Sequence, residues 1–348
     1  MKAIQLLGKE KIQLREVAKP EITEKEVLVK VKAASICGTD VRMYKNGYPT
    51  ASEGTPLTLG HEISGDIVEV GSAVDFYKEG MRVAIAPNMG CGICDQCVSG
   101  NTHLCEIYEA FGINLPGGFA EYLVIPEKAV RQGNISLIPD ELSYEEAALI
   151  EPFSCVFNGQ EIAGNKPGDN VLIIGSGPIG IMHAMLARAR GAGKVMMNDL
   201  SEARLADAKQ MIPDLIPLTS KDLKEKIFTE TNNKGVDLCI IAAPAPQAQE
   251  ASFNYMAMNG RCLFFGGLPK EKEEVKLNTN ILHYKQLRVF GCTRASLKGY
   301  RLSAQLVASG RIPLKELITK RYSIDDFGEA LENAKNAVGL KNVIVFSE

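Results

Sequence analysis

A glycine-rich turn, set between a short apolar run and a helical pattern, narrows the fold of this chain more than any other feature. Val171-Leu172-Ile173-Ile174 runs into Gly175-Ser176-Gly177-Pro178-Ile179-Gly180, and a helical stretch follows from Ile179 to Arg190. A second short strand, Val195 to Asp199, leads into a helical segment from Glu202 to Met211, and further buried-type strands are expected over 236–243 and 261–266. Apolar strands alternating with helices build βαβ units on a parallel sheet, so the chain is α/β. In that setting the turn is a dinucleotide site. Gly175 permits the tight turn, Gly177 lets the backbone approach a pyrophosphate, and Gly180 lets helix and strand pack closely. The helix N-terminus that begins at Pro178-Ile179 supplies amide donors to the phosphates. Asp199 closes the second strand, where a carboxylate accepts hydrogen bonds from both adenosine ribose hydroxyls and repels a 2′-phosphate. That favours NAD over NADP. Arg204 softens the preference, because it could stack on adenine or receive a 2′-phosphate.

The chain has 348 residues, enough for roughly two domains. Lysine and arginine (39) nearly balance aspartate and glutamate (42), so the basic footprint of a nucleic-acid binder is missing. No apolar run reaches the ~20 residues needed to span a bilayer, and the first residues do not read as a secretory leader. No membrane partner is expected, and the compartment expected is the cytoplasm, where thiols stay reduced. The nine cysteines then need another explanation than disulfides. Cys91, Cys94, Cys97 and Cys105 crowd a glycine-containing loop; four thiolates satisfy a closed, structural tetrahedral zinc, and an iron–sulfur cluster could use similar spacing. His103 lies inside this loop and reads as a solvated residue. Cys155, Cys239, Cys262 and Cys292 sit in or beside apolar segments and read as small core residues.

The first ~150 residues read as all-β with Gly and Pro punctuation, including strands over 27–32, 65–71, 81–87 and 119–126. Two short motifs in this part, Cys37-Gly38-Thr39-Asp40 and Gly60-His61-Glu62, combine with Glu151-Pro152 to offer sulfur, imidazole and carboxylate. That is the donor set of a catalytic zinc with an open coordination position.

These motifs, the cysteine loop, Gly117-Gly118-Phe119-Ala120-Glu121-Tyr122 and the nucleotide turn together make the whole chain resemble the zinc-dependent medium-chain alcohol dehydrogenases, and within them the sorbitol (polyol) dehydrogenase branch. The resemblance implies a GroES-like β-rich catalytic domain over 1–152 with a zinc lobe near 90–106. It also implies a Rossmann NAD-binding domain over 153–290, a doubly wound parallel sheet, and a C-terminal return to the catalytic domain over 291–348. The active site would lie in the cleft between the domains. Carried over position by position, Cys37 and His61 match ligands of the catalytic zinc. Glu62 and Glu151 match carboxylates that bind it directly or through water. Asp40 matches the partner of the His61 ring N–H, and Thr39 the hydroxyl that touches the substrate alcohol and starts proton removal. Glu151 stands where simple alcohol dehydrogenases have a second cysteine, which points to a polyol substrate. Arg294 aligns with an arginine near the substrate, although Ala295 replaces the neighbouring aromatic. Arg42 replaces a proton-relay histidine; it is either a surface residue or an anchor for an anionic group, which would admit a polyol phosphate. Tyr44 either lines the substrate pocket or packs. The implied assembly is a homodimer or homotetramer. Other readings are a vicinal-diol (butanediol) or threonine dehydrogenase of the same family, and a catalytically silent zinc- and nucleotide-binding relative.

Overall fold

The computed structural model describes residues 1–347, which divide into two compact units, residues 1–154 with 295 onward and residues 155–294. In the second unit six parallel strands form one sheet. Its spatial order is Ile216–Thr219, Lys194–Asp199, Asn170–Ile174, Val236–Ile241, Met256–Phe264 and Arg288–Gly291. Numbered along the chain this is 3-2-1-4-5-6, the doubly wound dinucleotide-binding order. The central strands are continuous apolar runs because helices cover both faces: Val171, Leu172 and Ile173 are fully buried. The order reverses beside Asn170–Ile174, so the glycine turn that follows this strand sits at the switch point, where such sheets bind their ligands.

The first unit is β-rich. A seven-stranded sheet runs Ile135–Leu137, Arg82–Ile85, Glu62–Val70, Val27–Ser35, Lys341–Val345 and Ile318–Tyr322, with Tyr122–Ile125 also pairing to Val27–Ser35. A three-stranded sheet of Lys11–Glu16, Lys2–Gly8 and Leu57–Thr58 lies apart from it. The alternation of Val27, Val29 and Val31 feeds one continuous core with Ile63, Ile67, Phe111 and Phe119. The all-β reading needs correction here. Helices occupy Gly38–Asn46, Glu127–Gln132 and Tyr144–Ala148. The first escaped notice because its N-cap is Cys37 rather than serine or threonine. The signal was Asp40 three residues on, whose carboxylate accepts the Cys37 backbone N–H at 2.8 Å.

The C-terminal strand Lys341–Val345 is antiparallel to Val27–Ser35, with Val343 opposite Ser35; on the other side of that strand Ser35 faces Glu62. Glu62, Ser35 and Val343 thus share a row and a face of the sheet. Among the described residues no helix is long and apolar enough to cross a membrane.

Candidate active site

Two of the candidate metal-binding motifs of the first unit converge. Cys37 caps the helix Gly38–Asn46, and His61 immediately precedes the strand Glu62–Val70. The backbone before His61 is fixed by the segment 117–119. Gly118 and Phe119 donate to the carbonyls of Gly60 and Leu59 at 2.8 and 2.9 Å, and Gly117 donates to Thr58 at 2.9 Å. The Gly117-Gly118-Phe119 motif is therefore scaffold for the histidine. One ligand atom each from Cys37, His61 and Glu62 lies within 4.8 Å of the others. Glu151 is outside that group. It stands in the first turn of the helix Ile150–Ala163 and is 7% exposed.

Asp40 performs two tasks. It holds the Cys37 amide, and its Oδ1 lies 3.5 Å from His61 Nδ1 while being fully buried. Burial opposes a charge on the imidazole, but Asp40 and then Cys37 outweigh it and raise the His61 pKa well above its usual value. With a cation bound, the same carboxylate would receive Nδ1–H of a neutral ring and fix its tautomer. A soft sulfur, an imidazole and buried carboxylates fit zinc, and the buried His61 Nδ1 and Asp40 Oδ1 lack a well-formed hydrogen bond in this structure.

Thr39 is half-buried, and its Oγ1 accepts a hydrogen bond from Arg42 Nη2 at 3.0 Å; Arg42 is exposed. Tyr44 is half-buried against the β-rich core. Lys341 was missed. It is 5% exposed, with Nζ at 2.8 and 2.6 Å from the two Glu62 oxygens and 3.1 Å from the Ile36 carbonyl. Burial works against its ammonium, yet Glu62, Cys37 and Glu151 raise its pKa above the ordinary lysine value. Tyr300 was missed too. It is 2% exposed, its hydroxyl has no hydrogen-bond partner among the described residues, and burial followed by the charge of Glu151 pushes its pKa well up.

The cysteine loop forms a second cluster, whose four sulfurs all lie within 4.8 Å of one another and are unbridged. Cys91 and Cys97 sulfurs are 4.0 Å apart. A tetrahedron of thiolates about 2.3 Å from zinc has sulfur–sulfur edges of about 3.8 Å, so the geometry fits. Backbone amides of Ile93 and Cys94 donate to Cys91 and lower its pKa to about 6, favouring thiolate. A Cβ on Gly90 would collide with Cys97 Sγ, which is why this position needs glycine. His103 corrects its reading as solvated: the 3-10 turn Thr102–Leu104 carries it inside, 3% exposed, and leaves Leu104 outward at 42%.

In the second unit Gly177 caps the helix Pro178–Ala189, with Pro178 at its first turn followed by Ile179. Gly175 has φ +111°, and a Cβ on Gly180 would overlap the Gly175 carbonyl oxygen. Nothing lies within 4 Å of the position a Gly177 Cβ would take. Asp199 Oδ2 accepts the Ser176 amide at 2.7 Å and Oδ1 the Ser201 amide at 2.9 Å. Burial alone would raise the Asp199 pKa; these amides and the nearby Arg204 overcome it and lower the value. Arg294 adopts a left-handed backbone, φ 54°, and its carbonyl accepts from Asn158 at 3.0 Å.

Comparison with known proteins agrees with this arrangement. The alcohol dehydrogenase GroES-like domain matches residues 23–136, and the zinc-binding dehydrogenase domain matches residues 178–309. The chain is 36% identical over 340 residues to sorbitol dehydrogenase of Bacillus subtilis (strain 168), covering 96% of this chain and 93% of that protein. It is 34% identical over 331 residues to L-threonine 3-dehydrogenase of Pseudoalteromonas translucida (strain TAC 125), with 94% of each covered. The crystal structure of galactitol-1-phosphate dehydrogenase from Escherichia coli superposes with a TM-score of 0.88 at 28% identity, over 99% of this chain and 100% of that one.

Proposed function

Because the chain belongs to the zinc-dependent medium-chain alcohol dehydrogenase family, in its polyol branch, and is therefore an oxidoreductase, we propose that it oxidises a secondary alcohol of a polyol or polyol phosphate to a ketone, with NAD as hydride acceptor. The observation that carries this reading is the convergence of Cys37, His61 and Glu62; Glu151, which the family resemblance aligns with a second cysteine of simple alcohol dehydrogenases, is buried. The resemblance to a sorbitol dehydrogenase and a galactitol-1-phosphate dehydrogenase supports the substrate class. The likeness to L-threonine 3-dehydrogenase supports a second reading, in which the secondary alcohol is that of threonine.

Zinc held by Cys37, His61 and a carboxylate supplies a Lewis acid that lowers the pKa of the substrate hydroxyl, and the nicotinamide supplies the hydride acceptor. The rest falls to the chain. Asp40 fixes the His61 ring. Arg42 donates to Thr39 Oγ1, so the Thr39 hydroxyl proton points away from the guanidinium. Thr39 can then accept the proton of the reacting hydroxyl on its remaining lone pair while its own hydroxyl proton passes to solvent, because an arginine accepts no proton. Arg42 and Arg294 are the residues proposed to meet a substrate phosphate or hydroxyl. All nine cysteines are free, in keeping with a reducing, cytoplasmic compartment. The proposed assembly is a homodimer or homotetramer.

A panel of polyols, polyol phosphates, butanediol and threonine, read by NADH absorbance, tests the substrate class. Turnover of a polyol or its phosphate at the highest kcat/KM supports the reading; turnover confined to threonine or butanediol overturns it. Asp199→Ala tests the cofactor. Loss of the Ser176 contact loosens the turn for both nucleotides, so the ratio isolates the ribose term. The NAD-to-NADP ratio of kcat/KM should fall at least about tenfold, the worth of one charge-assisted hydrogen bond. An unchanged ratio contradicts the ribose assignment.

A further inference from the structure

The cysteine loop is fastened to its compact unit by a closed ring of contacts. The Gly90 carbonyl, beside Cys91, accepts a hydrogen bond from Gln132 Nε2 at 2.7 Å. The next residue, Gly133, ends the helix Glu127–Gln132 with a left-handed φ of 83°. Its carbonyl accepts from Arg301 Nε and Nη2 at 3.1 and 2.6 Å. Arg301 stands one turn into the helix Leu297–Ala308. At the start of that helix the Leu297 amide, which has no acceptor within the helix, donates to Thr102 Oγ1 at 3.4 Å. Thr102 closes the ring, because its carbonyl and Cβ pack against Gly90, as does Cys97 Sγ. Both flanks of the loop are thus tied to one helix, and every residue of the ring belongs to the first compact unit.

Tyr300 lies between these two ties. It is 2% exposed, its hydroxyl has no hydrogen-bond partner among the described residues, and the charge of Glu151 reaches it. The chain beyond the helix keeps the same company: the Lys315 amide donates to Glu146 Oε1 at 3.2 Å, in the short helix Tyr144–Ala148 that leads to Glu151. A buried hydroxyl without a hydrogen bond does not hold its own ring, so the backbone of its helix decides where it stands. We propose that Arg301 is a positioning residue that, with Gln132 and Thr102, couples the metal content of the cysteine loop to the placement of Tyr300 near Glu151. Metal gathers the four thiolates, keeps Gly90 against Thr102, and so keeps the ring closed. Without metal the flanks part, and the Thr102–Leu297 contact, the longest link, is the first to fail. The coupling itself is independent of the substrate; only its bearing on catalysis rests on the reading of Glu151 as part of the catalytic site.

The test uses full-length protein labelled with 3-fluorotyrosine, in which the fluorine signal of Tyr300 is the one of ten that Tyr300→Phe lacks. Cys97→Ser, which empties the loop, should move that signal by more than its linewidth. Amide exchange over residues 297–301 should quicken by about tenfold, the worth of one lost hydrogen bond. Gln132→Ala/Thr102→Val opens the ring on both flanks, keeps all four cysteines and leaves Arg301, the neighbour of Tyr300, in place. It should move the signal likewise, with metal content as in wild type. Adding Cys97→Ser to that pair should then change neither readout further. A signal unmoved by Cys97→Ser, or shifts that simply add in the triple variant, overturns the coupling. Should Cys97→Ser fail to fold, Gln132→Ala/Thr102→Val decides alone: a moved signal at unchanged metal content supports the coupling, and an unmoved one overturns it. Failure of the Glu151 reading looks different. Glu151→Gln would then keep wild-type turnover while the Tyr300 signal still follows the cysteine loop.

Discussion

Cys37→Ser should abolish turnover while leaving the protein folded. A serine hydroxyl stays protonated at neutral pH and is a poor donor to zinc, so the soft ligand is lost outright. Without the Lewis acid the substrate hydroxyl keeps its high pKa, and kcat should fall at least about a thousandfold, equivalent to roughly 4 kcal/mol of barrier. The cost to stability should be small. Cys37 is only half-buried, and serine is a better N-cap for the helix Gly38–Asn46 than cysteine. Steady-state kinetics and a thermal melt check both halves. A variant that retains more than a few per cent of wild-type turnover, or one that unfolds, contradicts the assignment.

Cys97→Ser should do the reverse. Its sulfur is buried against Gly90 in a loop that holds little apolar surface of its own, and Ile93, Val98 and Ile107 are 86%, 75% and 71% exposed. Without a hydrophobic core, such a loop would depend on a bound metal for order. Structural zinc supplies folding free energy on the order of 10 kcal/mol in small zinc domains. The variant should lose one metal per chain, become cleavable by protease within residues 90–106, and melt at lower temperature. NADH binding should survive, because the glycine turn belongs to the other compact unit. A variant that lacks the metal yet resists protease like wild type would show that the lobe is held by something else.

The two candidate metal sites differ in how plainly the sequence shows them. Crowded cysteines at short spacing are legible without a fold, since any compact loop brings them together. The nucleotide turn is legible for a backbone reason: a Cβ at Gly180 has nowhere to go. Cys37, His61 and Glu62 are linked in the sequence only by donor type and by family resemblance, because their meeting depends on how distant segments fold together. What remained hidden was still more dependent on topology. Lys341 lies 279 residues from Glu62, and a lysine at the start of a terminal strand reads as solvent-facing. Only the register through Ser35 brings it inside. Tyr300 sits in the helix Leu297–Ala308, with nothing in its spacing to mark it as lying near the charge of a buried carboxylate. His103 was misread because polar loop residues are usually wet, and the tight turn at Thr102–Leu104 reverses that.

Metal content measured together with activity tests the central claim most directly. The purified wild-type protein should contain about two zinc ions per chain. A chelator should remove about one of them, from the Cys37–His61 site, with activity falling in proportion and returning on addition of zinc; the other should stay in the cysteine loop. Fully active protein with a single, chelator-resistant metal per chain would contradict the account.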